Sequence, residues 1–388
     1  EILPRVTGEL DIYHRVPAEL TVRLAGEEST AGVQVELRGE GPLEEKTKSL
    51  EFLFRGPDIQ DKGTFGWRDE YYLNYFAPDL DVHLGDQSYG LSQLTSYHRY
   101  GRGLGVDFHP PESATGFGAY YLEERWSWPD RQEGGAYITR RVNDKIETRL
   151  NFLRQDRDAY NEHRSFHDTL WSLETEYKPT EDMKLQMEYA RCDSNRRGDT
   201  EDDAYRIEWD GRLGQRGYYR AAKFHAEPDY YGYYNDSDHS YASLSYPLAP
   251  RLQGNISYNR YKCNLDLRPE RRTADRETLW QGGVTYSLNK GWYLSLSYDD
   301  FERYDLFVPP AFDYSEETLQ LGVGRSAEKY SFRVEVRTGD QEDHLTGESE
   351  TLWNYNFFAS YRPRRNTFFT LYAGFGDDKA LGSGRLLR

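Results

Sequence analysis

The sequence has little cysteine and no long apolar run, and each of these features excludes a class of protein. Of 388 residues only 2 are Cys, Cys192 and Cys263, which excludes a disulfide-dense scaffold and a CxxCH haem attachment in this chain. No run approaches the roughly 18 consecutive apolar residues of a transmembrane helix. Hydrophobic residues make up 37% and the mean hydropathy is −0.91, values that by themselves favour a soluble protein.

Positive charge is also scarce. The 49 Lys and Arg are outnumbered by 66 Asp and Glu, which gives a net charge of −17. Because phosphate binding needs clustered Lys and Arg, we expect no nucleic-acid partner. A signal peptide is not recognisable either, so an exported protein is expected only if the sequence is the mature form.

The sequence lacks the motifs of the common enzyme classes. GxSxG, HExxH and Walker motifs are absent, and the 9 His residues show no metal-ligand spacing. The many Asp and Glu residues are explained by solvated loops and by the lining of a polar interior. We therefore expect no enzyme activity, no bound cofactor and no metal site, the alternative being a barrel protease or phospholipase assembled from distant strands.

The clearest positive pattern lies in residues 277–298, where two alternating runs flank Asn289-Lys290-Gly291. The alternation predicts a hairpin of two strands of about ten residues each, whereas strands in soluble proteins average about 5–6 residues. Tilted strands that cross a bilayer need about 9–11 residues and have aromatic residues at both interfaces. The side chains expected to face lipid are Trp280, Val284, Tyr286, Trp292, Leu294, Leu296 and Tyr298.

The same alternation recurs from Trp67 to Phe375, and the connections alternate in length. Short turns are expected at 212–216, 247–251, 289–291, 326–329 and 362–366, and long polar loops at 192–203, 227–239, 263–276, 299–317 and 338–350. Short periplasmic turns and long extracellular loops are typical of bacterial outer-membrane barrels, and the low hydropathy fits because only every second residue meets lipid. The pattern predicts an all-β fold, a transmembrane antiparallel up-and-down β-barrel of about 18–22 strands in the bacterial outer membrane.

We expect residues 1–388 to form one barrel. Residues 1–60 hold four short alternating runs, which are either barrel strands or a separate small β module. Barrel strands are favoured because no linker rich in Pro, Gly or Ser follows them. The strand that ends at Phe375 leaves the C-terminus outside, unless residues 380–388 begin a closing strand or fold back.

Gly85 to Phe108 is richer in Gly and Arg than a simple strand requires. One interpretation is a long loop followed by a strand. The other is a segment folded into the lumen as a constriction or partner contact, since Gly permits bends and close backbone approach. Arg99 and Arg102 are the candidate constriction residues.

Charges of both signs crowd the face opposite the apolar one. In a water-filled lumen they can pair across strands at little cost, whereas on the lipid face each would cost about 2–4 kcal/mol at the midplane. The residues expected to face the lumen are Glu147, Arg149, Glu174, Glu176, Lys184, Glu188, Arg206, Glu208, Asp210, Arg333, Glu335 and Arg337.

The repeated hairpins from Trp67 to Phe375, about four-fifths of the chain, resemble bacterial outer-membrane β-barrels of the large porin class. The segment from Gly85 to Phe108 and the charged lumen face are also similar to barrels that enclose a partner, such as the porin component of porin–cytochrome electron conduits. An usher-like export channel is a further resemblance. These resemblances imply contact with outer-membrane lipid and, in the second case, a protein plug or a multihaem cytochrome in the lumen.

The leading hypothesis is a porin-like conduit for solutes or ions. Its alternatives are a barrel that sheathes an electron-transfer partner, an usher-like export channel, and a soluble all-β surface or adhesion protein. Cys192 and Cys263 begin different long loops, with about four strand steps of about 4.8 Å between their strands. Since a disulfide requires Cα atoms within about 7 Å, free thiols are expected.

Overall fold

The computed structural model describes residues 16–27, 30–43, 47–126, 130–158, 165–364 and 367–377. The alternating run expected at Leu10 to Tyr13 and the tail at 380–388 lie outside these residues. Among the described residues, no helix is long and apolar enough to span a membrane.

The alternating residues form extended strands almost throughout. The strands are β1 (Ala18–Glu27), β2 (Thr30–Pro42), β3 (Ser49–Gly56), β4 (Glu70–Phe76), β5 (Leu80–Tyr89), β6 (Arg99–Phe108), β7 (Thr115–Glu124), β8 (Arg131–Asn143), β9 (Ile146–Asp158), β10 (Ser165–Thr180), β11 (Met183–Ser194), β12 (Thr200–Leu213), β13 (Gly217–Ala226), β14 (Ser237–Ala249), β15 (Leu252–Cys263), β16 (Asp275–Ser287), β17 (Trp292–Asp305), β18 (Asp313–Ser326), β19 (Tyr330–Asp343), β20 (Glu348–Arg364) and β21 (Thr367–Gly376). Two short 3₁₀ helices are at Gln60–Lys62 and Asn289–Gly291.

The described strands form one 21-stranded sheet. Consecutive strands pair antiparallel from β1 to β9 and from β12 to β21. The predicted fold class is confirmed in its described part: the chain has an all-β, antiparallel, up-and-down, barrel-like fold, and its strand number lies within the expected range.

Two compact units can be distinguished. Unit 1 comprises Glu1–Thr175, Glu188–Asp203 and Asp229–Tyr234. Unit 2 comprises Glu176–Met187, Ala204–Pro228 and Asn235–Arg388.

In unit 1, the strands nearest the N-terminus continue the sheet. β3 pairs with β4 from Ser49↔Phe76 to Arg55↔Glu70, and β2 pairs with both β1 and β3. Strands β1, β2 and β3 therefore share a hydrogen-bonded sheet with the strands that follow them. Whether residues 1–388 form one barrel stays a prediction.

In unit 2, the hairpin of β16 and β17 has the predicted register. Val284 pairs with Leu296 and Tyr286 with Leu294, so the apolar side chains of both strands share one face. The connection is tight because Lys290 and Gly291 adopt left-handed backbone angles, with φ of 59° and 78°. At Gly291 a Cβ atom would overlap the carbonyl oxygen of Ser326, so this position requires glycine.

Several strands extend further than the apolar alternation does. The loop expected at 192–203 is mostly strand, since β11 ends at Ser194 and β12 begins at Thr200. The loop expected at 338–350 shrinks likewise between Asp343 and Glu348. These loop bounds were wrong because polar residues beyond the apolar stretch still pair through their backbones, which no side-chain pattern reports.

Candidate functional site: the polar face and a buried segment

The sheet has an apolar face that stays exposed. The seven side chains predicted to face lipid are between 36% and 48% exposed, and they alternate with polar residues along β16 and β17. We call their side of the sheet the apolar face and the opposite side the polar face. A continuous exposed apolar surface requires a non-aqueous neighbour, such as lipid or another protein.

On the polar face of unit 2, four predicted residues belong to a first group of ion pairs: Arg206, Glu208, Asp210 and Lys184. Arg206 is 1% exposed and donates through Nη1 to Glu208 Oε1 at 2.7 Å. The other oxygen of Glu208 accepts from Arg220 Nη2 at 2.9 Å. Asp210, on the same strand, lies 3.8 Å from Lys184 Nζ.

A second network of unit 2 joins β17, β18 and β19. Arg337 donates through Nη2 to Asp299 at 2.8 Å and to Thr318 at 3.1 Å. Two residues along the strand, Glu335 accepts from Gln320 at 2.8 Å and lies 3.1 Å from Arg333 Nε. The charges of these two networks thus have partners of opposite sign on the same strand or on a strand nearby.

Four of the five remaining predicted polar-face residues occupy less enclosed positions, and Glu188 is the exception. Glu147 is exposed, Glu174 is half-buried, and the Arg149 guanidinium lies 3.7 Å from the ring centroid of Tyr137. Glu176 lies 2.5 Å from Lys178. Glu188 is 3% exposed and belongs to the site described next.

The candidate constriction has different boundaries from those expected. Residues 85–89 and 99–108 are strand, within β5 and β6, and the residues between them, 90–98, form what we call the buried segment. Leu94, Thr95 and Ser96 in it are fully buried. The stretch is therefore a connection followed by a strand, and the connection is shorter than expected because residues 85–89 extend β5.

The two candidate constriction arginines are on opposite faces of β6, since alternate residues of a strand face opposite ways. Arg99 extends over the ring of Tyr233, 5.8 Å from its centroid. Arg102 instead shares a face with the exposed Leu104 and donates to Asp86 at 2.9 and 3.0 Å. Arg102 thus bonds a carboxylate of the paired strand β5, and its part in a constriction stays a prediction.

The buried segment is held by carboxylates and tyrosines of the polar face. Ser96 Oγ donates to Glu133 Oε1 at 2.6 Å, and Tyr120 OH donates to the same oxygen at 2.9 Å. At its other end, Ser92 Oγ donates to Glu188. Hydrogen bonds to carboxylates are stronger than those between neutral groups, so these anchors fix both ends of the segment.

Residues 229–234 pack against the buried segment. Tyr230 OH and the backbone N–H of Tyr233 both donate to the carbonyl oxygen of Leu94, at 3.0 and 2.9 Å. A Cβ atom at Gly232 would overlap that same oxygen, so only glycine permits this approach. Burial raises the pKa of Tyr230 well above its ordinary value.

Tyr231 is held by a polar network of its own. Its carbonyl oxygen accepts from Gln155 Nε2 at 2.5 Å, and the guanidinium of Arg196 lies 4.2 Å from its ring centroid. Gln155 Nε2 also donates to Asp168 at 2.9 Å. Burial, together with the hydrogen bond to Asp229, raises the pKa of Tyr231 to about 12.

A fully buried carboxylate, Asp86, organises the neighbouring wall of unit 1. It accepts from the backbone N–H of Tyr71 at 2.9 Å, from Arg125 at 2.6 Å and from Arg102. Arg125 also contacts Asp69 at 2.6 Å. The cluster therefore neutralises two arginines with two aspartates.

Sequence reasoning missed four residues of this site: Asp86, Glu133, Asp168 and Tyr230. Glu133 could have been found, because it continues the alternation of Gly135 and Tyr137 on β8. Asp86 and Asp168 resemble any of the other acidic residues in the sequence. Tyr230 is in a loop without periodicity, so no pattern marks it.

The hydroxyl, carboxylate and carboxamide groups of this arrangement can form hydrogen bonds with water and small polar solutes. Among the described residues there is no cluster of three or more His, Cys, Asp or Glu that could hold a metal ion. Cys192 and Cys263 are both free thiols, as expected.

No protein-family model matches the chain, and no curated protein matches it either. Solved structures similar to it include Wzi of Escherichia coli, an outer-membrane carbohydrate-binding β-barrel involved in group 1 capsule assembly, with 11% identity, coverage of 87% of this chain and 81% of that one, and a TM-score of 0.37. The copper transporter OprC has 15% identity, coverage of 93% and 73%, and a TM-score of 0.47. The P pilus usher (PapC) translocation pore has 10% identity, coverage of 94% and 96%, and a TM-score of 0.46.

Proposed function

We propose that this chain is an outer-membrane β-barrel that forms a polar, porin-like conduit for ions or small solutes, without enzymatic activity. We further propose that the buried segment narrows the conduit. The observation that carries the proposal is the burial of Leu91, Ser92 and residues 94–96 of this segment on the polar face, where Glu133, Glu188 and Tyr230 contact it.

The division between the two faces supports the membrane location. Leu294 and Leu296 are 46% and 41% exposed, which suits hydrocarbon, while Ser295 between them and Ser297 after them face the other way. A charge among the leucines would cost about 2–4 kcal/mol at the midplane, and a charge on the polar face can stay hydrated. This argues against the soluble surface protein, which would leave the leucines in water.

The pairing of the polar-face charges favours a conduit over a sheath for a multihaem cytochrome. A sheath would use Arg206, Glu208, Arg333 and Glu335 for contacts to its partner. In this chain Arg206 and Glu208 bind each other, and Arg333 and Glu335 do the same. Contact with a partner would therefore have to replace bonds that are already made.

Planar-bilayer conductance tests the proposal. In the test variant, a flexible Gly-Ser segment of equal length replaces residues 90–98. In the control variant, a Gly-Ser segment of matching length replaces the loop 306–312. Loss of the buried segment should raise the single-channel conductance, while the control should match the parent chain. Equal conductance of all three would contradict narrowing by this segment.

Purification of the native complex provides a second test of the conduit against the sheath. Purified in detergent, it should contain no stoichiometric haem protein, and its conductance should equal that of the chain alone. Co-purification of a cytochrome with low conductance would favour the sheath. Monodisperse behaviour of the chain in buffer without detergent would refute the membrane location.

A further inference from the structure

Three strands of unit 2 place cations on the apolar face. The register pairs Lys223 with Ser240, and Ser240 with Arg260. Partners in an antiparallel pair share one face, so Lys223 and Arg260 lie on the same side of the sheet. Arg260 also follows Tyr258 by two residues, and strand alternation keeps these two and Lys262 on one face. We call Lys223, Arg260 and Lys262 the basic cluster.

The basic cluster lies just beyond the aromatic edge of the apolar face. Tyr258 pairs with Trp280, and their ring centroids are 4.5 Å apart. Arg260 is two residues further towards the long-loop end, about 7 Å along the strand. Aromatic girdles mark the level of the lipid headgroups, so the basic cluster is at headgroup height or slightly above it.

The cluster has more positive charge than its neighbours balance. Asp238 lies 2.5 Å from Lys223 and 3.0 Å from His225. Arg276, on the same face, is buried and donates to the carbonyl oxygen of Cys263 at 2.6 Å. Within the described part of the chain, no carboxylate forms an ion pair with Arg260 or Lys262.

Like charges lie close together within this group. The register pairs Lys262 with Arg276 on one side and with Asp238 on the other, and Arg260 shares the face of Lys262 two residues along β15. Arg260 is exposed and Lys262 half-buried, so both can be reached from outside the sheet. An anion placed between them would relieve the repulsion.

We propose that the basic cluster binds the phosphorylated headgroup of an outer-leaflet lipid. The proposal goes beyond the conduit function but rests on its membrane part. Guanidinium groups bind phosphate through two parallel hydrogen bonds, and a lysine ammonium adds a point charge. Basic side chains next to a bilayer attract anionic lipid in this way.

Acidic residues on β17, two strands from β15, limit the site on one side. Asp300 pairs with Trp280, and Glu302 pairs with Thr278, so both share the apolar face on β17. The phosphate is therefore confined to the side of β13 to β15. The same acidic residues could receive the basic cluster of a second copy of the chain, which is the competing explanation that the test must exclude.

The test uses the full chain in nanodiscs of phosphatidylcholine, with or without a small fraction of bis-phosphorylated lipid A. Native mass spectrometry then measures how much lipid A each variant retains. The parent chain should retain lipid A. The double variant Arg260→Gln/Lys262→Gln should retain it about 25-fold more weakly, because the loss of each cation weakens binding about 5-fold. The matched control is Arg251→Gln, an exposed arginine in the connection between β14 and β15, which should retain lipid A like the parent.

Three outcomes would overturn the proposal. The first is that the double variant retains as much lipid A as the parent chain. The second is that millimolar inorganic phosphate displaces all of the lipid A from the parent chain. The third is that, without lipid A, the parent chain is a dimer and the double variant is not. Insertion into pure phosphatidylcholine nanodiscs is measured first for every variant. If the parent chain does not insert, the conduit proposal fails; if all variants insert and none retains lipid A, only the lipid site fails.

Discussion

Replacing Asp86 with Asn should be among the most destabilising single changes in unit 1. Asp86 is fully buried, whereas Arg125 is 14% exposed and Arg102 is 51% exposed. An amide at this position loses the charge and turns an N–H group towards guanidinium donors. Arg125 would keep only the carboxylate of Asp69, at 2.6 Å.

The magnitude follows from the exposure of the two arginines. Removing one partner of a buried ion pair costs about 3–5 kcal/mol because the other charge stays behind. Arg102 is half-exposed, so water can hydrate its guanidinium group once the Asp86 charge is lost. We therefore count little of the free-energy cost for this arginine. We expect a loss of about 3 kcal/mol in the free energy of unfolding, near the lower end of that range.

Urea unfolding of the chain in lipid vesicles, followed by Trp fluorescence, measures this loss. The matched control is Asp193→Asn, whose contact with Arg191 is 4.0 Å long and about half exposed on both sides, and which should cost less than about 1 kcal/mol. Adding Arg125→Met to Asp86→Asn should cost less than the sum of the single changes, since the two groups share one network. Equal losses for Asp86→Asn and Asp193→Asn would refute the reasoning.

Three further predictions concern the faces and the buried segment. Leu296→Arg should reduce the assembled fraction in vesicles by an amount that corresponds to about 2–4 kcal/mol. The control Ser295→Arg should be tolerated. Equal damage by both changes would mean that the two faces are assigned the wrong way round. Gly232→Val should push the buried segment away and raise single-channel conductance, and unchanged conductance would show that the segment does not narrow the path. Cys192 is fully buried and should react with a maleimide only after denaturation. Cys263 is half-buried and should react in the native state. Rapid labelling of Cys192 in the native protein would contradict its burial.

The hairpin of β16 and β17 could be predicted in detail because one of its faces is apolar. A shift of one residue would move Leu294 and Leu296 to the polar face, so the alternation fixes the register as well as the strands. The turn was equally readable, since Asn289-Lys290-Gly291 supplies residues that tolerate left-handed backbone angles. Both features depend on side chains whose preference is visible in the sequence.

The ends of the strands and the buried segment could not be predicted in this way. Beyond the apolar stretch, strands such as β11 and β12 are held by backbone pairing that any residue can make. The buried segment is rich in Ser and Thr, which usually indicates an exposed loop, and its burial depends on Glu133 and Glu188 from distant strands. A single sequence gives no signal for such long-range polar pairs, although it did mark the Gly-rich neighbourhood in which the segment begins.

The anchors of the buried segment also set an order of events during assembly. Ser92 and Glu188 are 96 residues apart, and Leu94 and Tyr230 are 136 apart. Neighbouring hairpins close over short turns, whereas contacts this distant bear a larger loop-closure entropy and form slowly. The segment can be fixed only after β11 and residues 229–234 have reached their places. A newly inserted chain therefore passes through a stage in which its strands are paired while residues 90–98 are still free, and during that stage the segment is open to proteolysis.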